Sequence, residues 1–426
     1  MKIYFYTLGC KVNQYESQAA GELLCARGHT LVQSINEADV AVVNSCTVTA
    51  ESDRKTRQAV RRFKRSNPDR MVILMGCMPQ AVPETADLLP EADVVIGNTD
   101  HKKLAELIDE FAANRQRIVR VSPHQRDEVY CTPSVTAFSE RTRAFMKIED
   151  GCDRYCTYCI IPFARGVIRS RPLSDIKREA EALAKNGFRE IVLVGINLTS
   201  YGKDTGQDIC DAVRAADVPG IDRIRLGSIE PDHMSDDLLE RLAAEPKFCP
   251  QFHLALQSGC DKTLKRMNRH YNTAFFEDLV NRIRARFDNP SITTDIMVGF
   301  AGESEEDHKE SVAFLRHIGF ARSHVFAYSK RSGTVAAGLG NQVDEGEKSR
   351  RAAEMAAAAA DSESEFLKTQ CGRSEKVLFE QECDGYFEGY TENYTRVKAK
   401  SDKNLSGEII TVTLTKAEDD FCFGEI

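Results

Sequence analysis

The residues with the most chemistry in this chain are cysteines, and three of them share one short segment. Cys152, Cys156 and Cys159 stand at a C-x-x-x-C-x-x-C spacing, which brings three thiolates to one loop. An iron–sulfur cubane is usually held by four protein thiolates, and a structural zinc ion also closes with four ligands. No fourth Cys or His follows nearby, since the next cysteine is Cys210. Three ligands on a cubane leave one iron open, and an open iron binds a small molecule. The competing reading is a zinc site completed from elsewhere in the chain, or three unrelated thiols. A second trio is Cys10, Cys46 and Cys77, spaced 36 and 31 residues apart, each directly after a short apolar run. Cys25 falls inside a helical pattern and reads as a core residue.

The elements around these cysteines say which of them can meet. KIYFYTLG, DVAVVN, MVILMG and DVVIG are short β-branched runs, the mark of buried parallel strands. Helical stretches at 13–28, 52–66 and 100–114 separate them. That alternation predicts an open, doubly wound α/β domain over residues 1–116. The carboxyl ends of parallel strands share one edge of the sheet, where such folds place ligands. Cys10, Cys46 and Cys77 are therefore expected to converge there on a second three-thiolate cluster. The helix after Cys46 carries Arg54, Arg57, Arg61, Lys64 and Arg65 along one face. This is either a solvated basic face or a phosphate-contacting surface.

Residues 117–140 are polar and mixed, as a linker would be. Alternation then returns, with strands expected at 144–149, 190–195, 223–228, 251–257, 291–298 and 322–328. Six βα-type units are too few for an eight-stranded barrel, so residues 138–369 predict a partial, open (βα)6 barrel. Its chemistry belongs at the carboxyl rim of the strands, and the loop of Cys152 follows the first strand. Gly195, Asn197, Ser228, Glu230 and Gln257 end later strands and are candidate ligand contacts. Asp295, Gly299, Tyr328 and Ser329 lie along the same rim. A helix at 343–370 leads out. Residues 370–426 alternate with period two and predict a small antiparallel β-barrel. Tyr386, Phe387, Tyr390 and Tyr394 are its candidate base-stacking residues, with half of them expected to serve its own core instead. From residue 371 on, acidic residues outnumber basic ones, twelve to seven, so it is no general RNA clamp.

Composition narrows the function classes. The chain has 426 residues, 42% apolar and 29% charged, as in a soluble globular protein of two or three domains. No apolar run reaches the roughly 20 residues of a membrane span, and MKIYFYTLGC is expected to be a strand rather than a signal peptide. A cytoplasmic location is expected, where 14 cysteines suit metal binding better than disulfides. A net charge of −8 argues against diffuse nucleic-acid binding and leaves only local basic patches.

The Cys152 loop, with aromatic Tyr158 before its third cysteine, resembles the radical S-adenosylmethionine (SAM) signature. Nearly the whole chain resembles the radical-SAM methylthiotransferases: an N-terminal methylthiotransferase domain, a radical-SAM core and a C-terminal TRAM domain. The match rests on Leu8-Gly9-Cys10-Lys11-Val12-Asn13-Gln14, Asn44-Ser45-Cys46-Thr47-Val48-Thr49 and Gly76-Cys77. Residues 52–58 (SDRKTRQ) and 160–166 (IIPFARG) are most similar to the branch acting on N6-threonylcarbamoyladenosine at position 37 of tRNA. Ala301 stands where the family usually has proline, and Met78-Pro79 where an aromatic and a small residue are common. The resemblance implies replacement of a C–H bond on carbon 2 of adenine by C–S–CH3. It implies two 4Fe–4S clusters, with SAM as both radical source and methyl donor. The cluster at Cys152, Cys156 and Cys159 would cleave SAM, and the one at Cys10, Cys46 and Cys77 would carry sulfur. Such a C–H bond lies beyond general acid–base catalysis, so the cofactor supplies the radical. Expected partners are a tRNA anticodon loop, an electron donor such as flavodoxin or ferredoxin, and a sulfur source. Arg165, Arg169 and Arg171 are expected either to help hold SAM or RNA phosphate or to form surface ion pairs. The alternatives are an enzyme acting on N6-isopentenyladenosine or on a ribosomal-protein aspartate, and a cluster-containing RNA-binding redox sensor.

Overall fold

The computed structural model describes residues 1–136 and 142–426; the domain start expected at 138 lies outside the described residues. The N-terminal part is a six-stranded parallel sheet in the order β2-β1-β3-β4-β5-β6. Its strands are β1 (Lys2–Thr7), β2 (Thr30–Leu31), β3 (Val40–Ser45), β4 (Met71–Gly76), β5 (Val94–Ile96) and β6 (Ile118–Arg120). Alternation within one strand feeds two cores. Val40 and Val42 pack with Ile108 and Phe111 of the helix Leu104–Asn114. Ala41 and Val43 pack with Val60 and Phe63 of α2 (Ala50–Ser66) on the opposite face. The doubly wound expectation therefore holds. The linker expectation needs correction, because β6 pairs with β5 inside residues 117–140. Three residues, two of them exposed, are too short a strand for period-two patterning to reveal.

The second part opens with β7 (Arg143–Lys147), followed by the two-residue strands β8 (Glu149–Asp150) and β9 (Arg169–Ser170), which pair antiparallel. Then come β10 (Glu190–Val194), β11 (Arg223–Leu226), β12 (Ser228–Ile229), β13 (Gln251–Gln257), β14 (Ser291–Val298) and β15 (Arg322–Ala327). β7, β10 and β11 form one parallel sheet and β12–β15 another. The break falls at Gly227, so the six units curve into an open barrel. Ile191, Leu193, Ile224, Phe252, Leu254, Ile292 and Ile296 face the outer helices as one core. Their neighbours in sequence face the lumen.

The helix Glu345–Gln370 leads to a closed five-stranded barrel: β16 (Ser374–Cys383), β17 (Tyr386–Thr391), β18 (Arg396–Ala399), β19 (Ile409–Glu418) and β20 (Phe421–Glu425). This small barrel plugs the amino-terminal end of the large one. Arg223 donates to the carbonyls of Tyr390 (2.9 Å) and Lys376 (2.6 Å), and Arg225 to that of Glu392 (2.9 Å). Tyr390 and Tyr394 stack on each other at 4.6 Å. The Arg143 guanidinium lies 4.7 and 4.9 Å from their rings. Both tyrosines are thus spent on domain docking, which corrects their assignment to base stacking, and Phe387 belongs to the small barrel's core. No helix among the described residues is long and apolar enough to cross a membrane.

Candidate metal centres and the cavity between them

The loop of Cys152, Cys156 and Cys159 is shaped by its own backbone. Gly151 has φ +93°, and a Cβ there would sit 1.8 Å from the Val167 carbonyl oxygen, so only glycine fits. The Cys152 amide donates to Gly166 O at 3.0 Å, and that of Cys159 to Cys156 O at 3.0 Å. Arg269 Nη1 lies 3.2 Å from Cys156 Sγ, while its Nη2 bonds Glu230 at 2.5 Å. Burial raises the Cys152 and Cys159 thiols, the latter to about 12. A positive partner, whether Arg269 or iron, is what makes such a thiol a ligand.

The rim residues divide by role. Glu149 is fully buried, and its Oε2 accepts from the Ile196 and Asn197 amides at 2.8 Å each. A Cβ on Gly195 would come within 2.6 Å of that oxygen, so the glycine serves Glu149 rather than a ligand. Burial lifts the Glu149 carboxyl to about 8. Asn197 is 3% exposed, yet both of its amide atoms, Ser200 Oγ and Glu149 Oε1 are buried without a partner among the described residues. Buried polar atoms are normally paired. This cluster therefore fits the amino and carboxylate groups of SAM. Ser228 is exposed at the mouth and Gln257 lines the cavity beside Cys159. Glu230 is occupied by Arg269, so its part is to hold the arginine on Cys156.

The other trio is gathered by the sheet and by α1 (Lys11–Ala26). Cys10 is the N-cap of α1, Cys46 follows β3, and Cys77 follows β4. Asn13 Oδ1 lies 4.0 Å from Cys10 Sγ and 3.9 Å from Cys77 Sγ. Its Nδ2 is anchored on Leu8 O (2.8 Å) and Ser45 O (3.0 Å). Gly9 has φ +97°, and a Cβ there would stand 2.8 Å from Cys46 Sγ. The three strand ends thus converge. Burial pushes the Cys77 thiol up to about 12, against the pull of Arg165. Arg165 Nε sits 3.3 Å from Cys77 Sγ.

That arginine ends the short helix Ile161–Arg165 after Cys159 and is fully buried. Its Nη2 donates to Asn13 (2.7 Å) and Glu16 (2.9 Å). Lys147 joins Glu16 to Asp150 at 2.7 Å each. Arg169 pairs with Glu128 (2.9 Å) and Asp150 (3.3 Å), and Arg171 with Glu179 (2.6 Å). This network assigns all three arginines to ion pairs, buried ones rather than surface ones, and corrects the expectation that they hold SAM or RNA phosphate. Arg165, through Glu16, and Arg171, through Tyr15 at 3.3 Å, also reach across to the N-terminal domain. Glu16, Lys147 and Arg269 were not singled out from the sequence, and Asn13 entered only as part of the family motif. Asn13 and Glu16, three and six residues past Cys10 on one helix, share a readable face; Arg269 has no local signal. On the basic face of α2, Arg54, Arg61 and Lys64 have acidic partners in Glu51, Glu91 and Asp93.

Between the centres lies a cavity of about 190 Å³. Val48 and Thr49, just after Cys46, form one wall, and Tyr158 and Cys159 another. Gln257, Asp295, Met297 and Phe326 come from the barrel strands. Val12 of α1 packs on Val192 and Val194 of the barrel, so the two domains meet there. Cys159 of one trio thus lines this space, and the segment just after Cys46 of the other forms a second wall.

Residues 2–97 match the model of Uncharacterized protein family UPF0004, and residues 146–315 that of the Radical SAM superfamily. The chain is 38% identical, over 97% of its length and 94% of the relative's, to the threonylcarbamoyladenosine tRNA methylthiotransferase MtaB of Bacillus subtilis (strain 168). It belongs to the radical-SAM tRNA methylthiotransferase family. Within this family of enzymes it is also 36% identical to MtaB of Thermotoga maritima, over 97% of this chain and 94% of that one. The tRNA-2-methylthio-N(6)-dimethylallyladenosine synthase of Natranaerobius thermophilus is 32% identical, over 100% of this chain and 96% of the other. Among solved structures, the radical SAM methyltransferase TsrM of Kitasatospora setae superposes with a TM-score of 0.59 at 14% identity. That match covers 91% of this chain and 77% of the other, and the likeness is one of fold.

Proposed function

We propose that this methylthiotransferase converts N6-threonylcarbamoyladenosine at position 37 of tRNA to its 2-methylthio derivative, with two 4Fe–4S clusters held by Cys152/Cys156/Cys159 and Cys10/Cys46/Cys77. The observation that carries this reading is the cavity lined by Cys159 on one side and by Val48 and Thr49, just after Cys46, on another. The resemblance to the two MtaB proteins supports the choice of base. When bound, the clusters and SAM supply the radical, the sulfur and the methyl group. The chain's own residues do the rest. Asn197, Ser200 and the free oxygen of Glu149 offer the polar rim that SAM's amino and carboxylate groups need. Arg269 and Arg165 each neutralise one buried thiolate. Asn13 spaces Cys10 from Cys77, and Val12 joins the N-terminal domain to the barrel, so that the base meets both centres away from water. The reaction also calls for an electron donor of the flavodoxin or ferredoxin class and for a sulfur source.

Nucleoside mass spectrometry of tRNA from a strain lacking this gene tests the assignment. Loss of the methylthio-threonylcarbamoyl nucleoside alone is expected. Loss of the methylthio-isopentenyl nucleoside instead would move the protein to the other branch. Anaerobic reconstitution should yield about eight irons per chain, with 5′-deoxyadenosine formed on reduction; intact SAM there would leave only a redox sensor.

A further inference from the structure

The two cysteine centres sit in different domains, so the gap between them is only as fixed as the contacts that cross it. One segment, residues 329–336 after β15, touches the surroundings of both. Its first residue, Ser329, lines the cavity together with Tyr328, Val48 and Thr49.

Towards the N-terminal domain the segment sends a buried arginine. Arg331 donates through Nη1 to Asp53 Oδ2 and through Nη2 to Thr47 Oγ1, at 2.5 Å each. Thr47 is the residue after Cys46, and its hydroxyl donates in turn to Asp53 Oδ1 at 3.0 Å. The three side chains thus close a buried triangle. Ser329 Oγ adds a contact by accepting from the amide of Ala50, the first residue of α2, at 3.1 Å. Towards the barrel, the Ala336 amide donates at 2.8 Å to the carbonyl of Thr157, which stands between Cys156 and Cys159. The backbone between these two ends is fixed. Thr334 brings its amide (3.2 Å) and its hydroxyl (2.7 Å) to Arg331 O. Gly333 turns at φ +86°, where glycine is favoured, and a Cβ there would stand 3.5 Å from Ile160 Cδ1.

We propose that residues 329–336 form a strap that sets the separation of the two cysteine centres, with Arg331 as its positioning residue. This inference rests on the two-cluster function proposed above. A buried ion pair contributes little net stability, because desolvation offsets its attraction, and its best-attested service is to fix a register. A guanidinium suits that service, since its planar fork meets the Asp53 carboxylate and the Thr47 hydroxyl at set angles. The reaction also demands a register. A base that must meet both centres tolerates little play between them, since a misplacement of about 1 Å can cost about a hundredfold in rate.

The test uses the full, reconstituted protein with SAM, dithionite and an anticodon stem-loop carrying threonylcarbamoyladenosine. Iron, 5′-deoxyadenosine and methylthio nucleoside are counted in the same samples. Arg331→Met should keep about eight irons per chain and form 5′-deoxyadenosine as the wild type does, because the tie from Ala336 to Thr157 is main chain. Methylthio product per 5′-deoxyadenosine should fall by about tenfold or more. The dipolar coupling between the two reduced clusters, read by EPR, should spread over a wider range of distances. Arg331→Lys, with one ammonium for two partners, should recover part of the loss. Asp53→Asn, which keeps the volume of the triangle, should lower the product ratio by about threefold or more. An unchanged ratio in Arg331→Met, or an equal loss of SAM cleavage and methylthiolation, would overturn the strap. If Arg331→Met loses iron, Asp53→Asn decides, and an unchanged ratio or loss of iron there would overturn it too. Failure of the proposed function is separable, because it appears in the wild type as a single cluster or as modification of the isopentenyl loop alone. In the second case the product ratio is read on that loop.

Discussion

Cys152, Cys156 and Cys159 are held by one loop, whereas Cys10, Cys46 and Cys77 arrive at the ends of separate strands. The two sites otherwise repeat one arrangement. In each, a buried arginine touches one sulfur and is held by a glutamate: Arg269 on Cys156 with Glu230, and Arg165 on Cys77 with Glu16. The difference is where the arginine originates. Arg269 belongs to the same barrel as its cysteine, but Arg165 crosses from the radical-SAM half to the N-terminal half. The N-terminal site is therefore an interface site, complete only when the domains are docked. Six residues after Cys159, the same chain segment closes the other centre, so a shift in one loop is felt at both.

The largest effect that would break this comparison is expected at the arginines. Arg165→Leu takes from buried Glu16 its arginine, leaving it only Lys147, and should cost about 3–5 kcal/mol and loosen the domains, as read by anaerobic denaturant unfolding and limited proteolysis. Arg269→Leu, whose Glu230 is 16% exposed, should cost about 1–3 kcal/mol. Equal losses would mean that the domain-crossing role of Arg165 has been overstated.

The glycines separate the centres next. Gly151→Ala should disrupt only the Cys152 loop, and Gly9→Ala only the Cys46 site. Each should lower iron from about eight to about four per chain. SAM cleavage should be lost in the first variant and kept in the second. Cys152→Ala and Cys46→Ala should repeat that division, with sulfur insertion lost in both. Loss of all iron from either glycine variant would show the centres to be structurally inseparable.

Two buried glutamates give opposite pH responses. Burial raises Glu16, but Arg165 and Lys147 more than reverse this and bring it to about 2. Its contribution is present above the unfolded value near 4.5 and is lost as pH falls towards 2. Burial holds Glu149 at about 8. Its contribution is full below about 4.5 and declines as pH rises towards 8, because the unfolded carboxyl ionises first. Glu16→Gln should flatten the acid limb and Glu149→Gln the neutral limb of an anaerobic stability profile, each by about 1–3 kcal/mol. A Glu149→Gln profile parallel to wild type would remove that assignment. The smallest effect is expected at the small barrel, where Tyr394→Leu removes cation–π contacts with Arg143 and Arg225 worth about 1 kcal/mol. Stem-loop affinity should change by less than about threefold; a larger loss would return that tyrosine to RNA binding.

Much of this molecule was legible from the chain alone. The C-x-x-x-C-x-x-C spacing is local, so three thiols must share a loop whatever surrounds them. The β-branched runs ending at Cys10, Cys46 and Cys77 put three further thiols on one sheet edge, because parallel strands share a direction. Period two likewise exposed the small barrel. Only the tertiary structure decided the destinations of long charged side chains. Arg165, Arg169 and Arg171 stand beside the cysteines in sequence and suggest phosphate, yet their partners Glu16, Glu128, Asp150 and Glu179 are mostly far off along the chain. Tyr390 and Tyr394 went to an interface for the same reason. Backbone periodicity is set by neighbours in sequence, whereas a guanidinium or a ring takes the partner that folding brings within a few ångströms, and no local pattern names that partner.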